Sequence, residues 1–151
     1  MDNILPAILQ DTYTLSVLKH KLNILKAYLL HQFFGTSPDE KEADWIKALP
    51  LQNISKDNVY EMFTNLEAQI AKLPTLIIYL TFEADDDSLA QIGIFARKAY
   101  LPSLLLDIKY DPNLIAGAAL VWKGVYKDYS LRAKIEEKKE EISAGFKKHL
   151  R

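Results

Sequence analysis

Three consecutive carboxylates, Asp85 to Asp87, are the residues in this sequence best placed to do chemistry. They follow an apolar run typical of a buried strand and precede a helical pattern. Carboxylates at such a junction can bind Mg²⁺. They also cap a helix and interact favourably with its positive N-terminus. The sequence contains neither GxxxxGK[ST] nor GxGxxG, so capping is the favoured interpretation, with a Mg²⁺ or nucleotide site as the alternative.

The three histidines do not have the spacing of a metal site. His20 and His31 are separated by about three helical turns, and His149 lies near the end of the sequence. The sequence contains no HExxH motif, and no serine has the flanking glycines of an exposed nucleophile. We therefore expect no histidine-based metal site and no serine nucleophile.

Asp111, Asp128 and Arg132 have the residue types of an acid–base set, but their positions favour a structural role. They fall in a turn, at a strand end and in a first helical turn, respectively. Asp128 is suited to accept hydrogen bonds from the backbone leading into Ser130. The sequence therefore predicts no catalytic residue, no cofactor and no metal.

The composition is that of a globular chain of one domain or two small parts. Of the 151 residues, 49% are hydrophobic and 26% are charged. The net charge of -1 argues against a nucleic-acid partner. The sequence has no cysteine, which excludes disulfides, thiol catalysis and cysteine–metal sites. It has no apolar run of ~18 residues and no signal-peptide pattern, so we expect any membrane contact to be made through a partner, without direct insertion.

The first half of the chain predicts about three helices. The first spans 8–34, with Asp11 or Thr14 as a possible internal start and Gly35 as its end. The second begins at a cap at Ser37, and the third runs from a cap at Ser55 to about residue 73.

Leucines on the first helix form a broad apolar stripe. Core packing is its favoured interpretation. The alternative is a groove that binds a partner helix through Leu15, Leu18 and Leu22.

The second half predicts a small mixed sheet. A strand over 75–82, a helix over 88–100 and a strand over 103–110 indicate a right-handed parallel crossover. Leu89, Ile92, Phe95, Ala96 and Ala99 are expected to face inward from that helix. Two antiparallel strands, 114–122 and 125–129, follow around a Lys123-Gly124 turn. A helix over 131–150, capped by Ser130, has a thin apolar stripe and should dock by its two ends. Either the rest of this helix is solvated, or part of it packs on another protein.

The sequence therefore predicts an α+β fold with two parts. A helical N-terminal part of about three helices covers 1–73, and a mixed α/β part covers 74–151. The second part should contain a four-stranded sheet, a crossover helix and a C-terminal helix.

The segment 111–130 carries a series of motif residues in a defined order. They are Asp111, Leu114, Ile115, Gly117, Gly124, Asp128 and Ser130. In order and spacing this segment resembles the delta subunit of F-type ATP synthases, called OSCP in mitochondria. Ala116 replaces the first glycine of the family's Gly-Gly pair, and the resemblance covers roughly 75–150.

The resemblance implies a non-catalytic peripheral-stalk, or stator, subunit of a proton-translocating ATP synthase. Such a subunit is peripheral, on the cytoplasmic side of the energy-transducing membrane. It joins the catalytic head, through the N-termini of the alpha subunits, to the b-subunit stalk.

Candidate contacts with these partners lie on the first and last predicted helices. Leu15, Leu18 and Leu22 are the candidates for a groove, and Ile142 and Phe146 are the candidates for the stalk contact. The family's N-terminal bundle has six helices, whereas only three are predicted here.

Two alternatives remain open. One is a peripheral-stalk subunit of a V- or A-type ATPase, although those carry a long charged N-terminal coiled coil that this chain lacks. The other is a small Mg²⁺- or nucleotide-binding α/β protein that uses Asp85 to Asp87.

Overall fold

The computed structural model describes residues 3–35 and 44–149 and has an α+β fold, as predicted. The predicted helix start at Ser37 lies outside these residues. The described helices are α1 (Ile4–Leu9), α2 (Leu15–Phe34), α3 (Asp44–Lys47), α4 (Val59–Ala71), α5 (Asp86–Ala99), α6 (Leu131–Glu137) and α7 (Lys139–His149). The strands are β1 (Thr75–Leu80), β2 (Leu105–Tyr110), β3 (Ala118–Trp122) and β4 (Val125–Asp128).

The first predicted helix is interrupted, and the single span 8–34 is wrong. Thr14 has an extended backbone, and its hydroxyl accepts a hydrogen bond from the Val17 N–H at 3.3 Å, so Thr14 caps α2. Of the two internal starts considered, Thr14 is therefore the one used. Gly35 ends α2 with a φ of 69°, as predicted.

Helix α4 begins later than predicted. Asn58, not Ser55, has the cap position, and the Ser55 N–H donates to the side-chain oxygen of Asn58 at 2.8 Å. The Asn58 amide also donates to the Asn53 carbonyl at 2.9 Å. These two bonds stabilise a turn, and α4 starts only at Val59.

The sheet has the strand order β2-β1-β3-β4. Strands β1 and β2 are parallel and are joined through α5, which confirms the parallel crossover. Strands β3 and β4 are antiparallel to their neighbours, so the sheet is mixed, as predicted. Strand β3 starts at Ala118 rather than at residue 114, because a short 3-10 helix, Pro112–Leu114, precedes it.

The helical part and the sheet meet at β2. Leu105 is fully buried in the core formed by the N-terminal helices, whereas Leu106 is buried between the sheet and α5. Adjacent strand residues point to opposite faces, so β2 contributes to both cores. The Leu106 N–H also donates to the Tyr13 carbonyl at 2.8 Å, which places the segment before α2 along the edge of β2. The division into folding units at 1–73 and 74–151 stays a prediction.

The inward face of α5 differs from the predicted one. Phe95 is 72% exposed and Ala99 is also exposed, so both assignments are wrong. Ala96 is buried, as predicted, and Gly93 is buried beside it, which was not predicted. A Cβ added to Gly93 would lie 2.5 Å from the Tyr13 Cβ, which shows how closely α5 approaches the N-terminal segment. Small residues therefore determine which face of α5 is buried.

The predicted terminal helix is divided into α6 and α7 at Lys138, which has a φ of -98° and a ψ of 9°. Helix α6 packs near the 3-10 helix through its start. No residue of α6 or of the described part of α7 is buried. The expectation of a single continuous helix is therefore wrong, and α7 is exposed along 139–149, so its packing on another protein stays a prediction.

Candidate functional site

The carboxylates of residues 85–87 form the start of α5. The Asp85 side chain accepts a hydrogen bond from the Ser88 N–H at 2.8 Å and caps the helix, as the favoured interpretation predicted. The hydrogen bonds from Ser88 hold the pKa of Asp85 below its ordinary value of 3.8, because they stabilise the charged form. Asp86 and Asp87 are exposed in the first turn, where their charge suits the helix dipole.

The histidines remain dispersed over the fold. His20 and His31 lie on α2, and His149 lies in the last turn of α7. Within 3–35 and 44–149, no three side chains of His, Asp or Glu are grouped so that they could hold a metal ion.

The motif segment begins with a tight turn. The Asp111 side chain accepts the Asn113 N–H at 3.0 Å, and Leu114 is buried beneath the turn. Ile115 follows with a φ of 69°, which is unusual for a β-branched residue. In the hairpin, Lys123 and Gly124 have φ values of 50° and 78°, as the predicted two-residue turn requires.

Gly117 lies where the two ends of the hairpin come together. Its φ is 88°, and an added Cβ would lie 2.9 Å from the Tyr129 carbonyl oxygen. The Tyr129 N–H donates to the Ala118 carbonyl at 3.0 Å, and the Leu131 N–H donates to the Ala116 carbonyl at 2.8 Å. The backbone before β3 therefore packs directly against the backbone that enters α6.

Asp128 organises this entry. It accepts the Ser130 N–H at 2.8 Å, the Tyr126 hydroxyl at 3.2 Å and an Arg132 N–H at 3.4 Å. The fully buried Ser130 in turn accepts the Ala133 N–H at 3.3 Å and caps α6. These contacts are a turn, a cap and an ion pair, so the motif residues from Asp111 to Ser130 build the hairpin and the helix start.

These hydrogen bonds predict a loss of stability in acid. The bonds from Ser130, followed by that from Tyr126 and the charge of Arg132, hold the pKa of Asp128 below 3.8. A carboxyl whose pKa is lowered by folding stabilises the protein above its unfolded pKa, and the effect is lost as pH falls through the folded value. We expect the melting temperature of Asp128→Asn to lie below that of the unchanged chain above about pH 5, and the difference to shrink below about pH 4.

Thermal melts between about pH 2.5 and 7 measure this difference. Asp57→Asn is the control, because Asp57 is exposed and makes no hydrogen bond or ion pair among the described residues. A difference that stays constant with pH would contradict the assignment.

The leucines proposed for a groove on α2 have different environments. Leu18 is 0% exposed and belongs to the helical core, so it is not accessible to a partner. Leu15 and Leu22 are half-buried and line a groove of about 570 Å³. The other lining residues are Lys19, Asn23, Glu67, Ile70, Ala71 and Thr75. The groove therefore lies between α2, α4 and the start of β1.

The residues proposed for a stalk contact lie on the exposed α7. Phe146 is 67% exposed and Ile142 is 42% exposed. Together with Gly145 and His149 they line one side of α7. This spacing of three and four residues places them on one helical face.

Arg97 is a central residue that the sequence did not reveal. It lies on α5, and its guanidinium donates to three backbone carbonyls, one of which belongs to Leu9 of the helical part. It also stacks on the Tyr13 ring, with 4.7 Å between the guanidinium carbon and the ring centroid. The only local signal is its place one residue after the buried Ala96 and four after Gly93.

None of the described helices has the length and apolar character to span a bilayer.

Two comparisons with known proteins bear on the family of this chain. No protein-family model matches the chain. The chain is similar to ATP synthase subunit delta of Verminephrobacter eiseniae (strain EF01-2), with 29% identity over 68 residues. These residues make up 45% of this chain and 37% of that protein, so the chain matches little more than a third of its relative's length. This partial match gives weak support to the family resemblance.

Proposed function

We propose that this chain is a non-catalytic peripheral-stalk subunit of an F-type ATP synthase that links the catalytic head to the b-subunit stalk. The observation that carries the proposal is the similarity to a protein named ATP synthase subunit delta. The geometry of the motif supports it, because Asp111, Asp128 and Ser130 bond to nearby backbone groups and stabilise the fold. The proposed place of the protein is at the cytoplasmic side of the energy-transducing membrane, held there by its partners.

A stator subunit must transmit torque between two interfaces, so its own parts must not turn against each other. The groove beside Leu15 and Leu22 lies in the helical part, and the exposed face of α7 lies at the other end of the chain. Between them, Arg97 joins α5 to the Leu9 and Thr12 carbonyls of the N-terminal segment. These contacts suit a body that carries load from one partner to the other.

The proposed stalk contact is the apolar face of α7. An aromatic side chain that is largely exposed in the free protein is the kind of residue that anchors a helix–helix interface. Phe146 is such a residue, and Ile142 lies one turn before it on the same face. The last helical segment of the b chain would cover both.

We expect Phe146→Ser to weaken binding of this b-chain segment at least tenfold, since truncating a central aromatic anchor costs about 2 kcal/mol or more. Titration calorimetry with the full chain and the b segment encoded by the same genome measures the change. Ala144→Ser is the matched control, because Ala144 lies on the opposite side of α7. The melting temperature should be unchanged in both variants, because no described residue of α7 is buried.

The outcomes of this experiment distinguish a stalk contact at Phe146 from a contact elsewhere on the chain and from no contact with the b segment. Loss of binding in Phe146→Ser with binding retained in Ala144→Ser supports the stalk contact. Equal affinities in all three proteins place the contact elsewhere on the chain. Absence of binding by the unchanged chain contradicts the stator proposal.

The proposed head contact is the groove bordered by Leu15 and Leu22. A peptide with the N-terminal sequence of the alpha chain is expected to shift the methyl NMR signals of these two residues and to leave the buried Leu18 largely unaffected. Methyl signals that do not move on saturation with the peptide would exclude this groove.

A further inference from the structure

Helix α7 has a self-complementary charge pattern. Glu140 and Glu141 lie in its first turn, and Lys147 and Lys148 lie in its last turn. Ile142 and Phe146 lie between them, with the small residues 143–145 at the centre. Reading the helix in the opposite direction therefore exchanges the acidic pair for the basic pair and keeps the apolar residues between them.

The two charge pairs lie on different sides of the helix. Ile142, Gly145, Phe146 and His149 line one face. Glu140 and Lys147 line the other side, together with Lys139, Ser143 and Ala144. Glu141 and Lys148 are seven residues apart, almost two full turns, so both flank the apolar face on the same side.

We infer that α7 pairs with the same helix of a second copy of this chain, in antiparallel orientation about a two-fold axis that passes between residues 144 and 145. In an antiparallel pair the same flank of each helix meets the other. Glu141 and Lys148 are equally distant from this axis, so Glu141 of each copy faces Lys148 of the other. The contact is isologous and contains this ion pair twice.

The apolar face fits the same arrangement. A Cβ added to Gly145 would meet nothing within 4 Å, so the surface there is open. Ile142 and Phe146 border this opening, and the Phe146 side chain of the second copy fills it. Pairing covers Ile142 and Phe146, which the free chain leaves 42% and 67% exposed.

A uniformly charged partner does not fit this surface. A nucleic acid or an anionic membrane would meet the glutamates at one end of α7 as well as the lysines at the other. A second copy in antiparallel orientation satisfies both ends at once. The described part of α7 is about 16 Å long, so the interface belongs to the small, weak class and its assembly depends on concentration.

This pairing concerns the chain alone and does not rest on the stator proposal. It uses the face of α7 that we propose for the stalk contact, so dimerisation and stalk binding exclude each other. An experiment on the chain without any partner therefore tests the dimer independently.

Sedimentation equilibrium of the full chain from about 10 µM to about 1 mM measures the dimer. We expect a concentration-dependent monomer–dimer equilibrium. Glu141→Lys or Lys148→Glu alone should raise the dissociation constant at least tenfold, because each places like charges together twice. The double variant, which exchanges the two charges, should restore it to within about threefold.

The matched controls are Glu140→Lys and Lys147→Glu. They make the same charge changes in the same helical turns, with the same effect on the helix dipole, but on the other side of α7. They should leave the dissociation constant unchanged within about threefold.

Three outcomes overturn the inference. The first is an unchanged chain that stays monomeric throughout the concentration range, whether or not it also binds anionic vesicles. The second is a double variant as weak as the single ones. The third is a control that weakens the dimer as much as Glu141→Lys does.

Discussion

Replacing Arg97 by alanine is expected to lower the free energy of unfolding by about 3 kcal/mol. Its Nε donates to the Leu104 carbonyl at 3.0 Å, and its two terminal nitrogens donate to the Leu9 and Thr12 carbonyls at 2.8 and 2.5 Å. The guanidinium also stacks on the Tyr13 ring. One side chain thus joins α5, the residue before β2, the last residue of α1 and the segment that follows α1.

The size of the effect follows from what alanine leaves behind. Hydrogen bonds from a charged donor contribute about 1.5–3 kcal/mol each, and three carbonyls lose their charged donor together, with the Leu9 carbonyl keeping only the Thr12 N–H at 3.4 Å. Partial burial lowers the pKa of Arg97, because desolvation disfavours the charged form, yet arginine stays protonated at neutral pH. Arg97→Lys keeps the charge but cannot reach three acceptors at once, so it should recover less than half of the loss.

Urea unfolding followed by circular dichroism measures the change. Lys98→Ala is the matched control, because Lys98 is the next residue on the same helix and is exposed. We expect this control to change the stability by less than about 0.5 kcal/mol. An Arg97→Ala protein as stable as the control would show that the three carbonyl contacts do not hold the two parts together.

Gly117→Ala is expected to destabilise the protein by about 3 kcal/mol. Two costs add at this position. The φ of 88° is unfavourable for any residue with a Cβ, and that Cβ would lie 2.9 Å from the Tyr129 oxygen and 3.2 Å from the Ser130 Cα. Both neighbours are backbone atoms, so neither can rotate away. The backbone before β3 must therefore move away from the backbone that enters α6.

Gly124→Ala separates these two costs. Gly124 has a similar φ of 78°, but nothing lies within 4 Å of an added Cβ. Its substitution should therefore cost only about 1 kcal/mol, the conformational part alone. Chemical unfolding of both variants measures the difference, and equal losses would show that the close approach at Gly117 contributes nothing.

Local signals predicted much of the second half of the fold. The caps at Asp85 and Ser130 and the turn at Lys123-Gly124 each depend on residues within a few positions, and all three are present. The alternation of strand, helix and strand is also a local pattern, and it correctly predicted that β1 and β2 are parallel.

The prediction errors arise where contacts between residues far apart in the sequence determine the structure. Residues 10–14 are mostly polar and offered Asp11 and Thr14 as starts, but no local signal shows that Thr14 pairs with Leu106, 92 residues away, and so interrupts the helix. Arg97 could not be recognised, because two of its acceptors are 88 and 85 residues away in the sequence. Phe95 was placed inside because hydrophobicity alone ranks it above Gly93, although only glycine fits against Tyr13.

The sharing of β2 between the two cores has a consequence for the chain as it leaves the ribosome. The helical core contains Leu105, and the Leu9 carbonyl accepts a hydrogen bond from Arg97. The first 73 residues therefore emerge well before the last of their buried neighbours has been synthesised. We expect the nascent helices to remain incompletely packed until translation has passed residue 105.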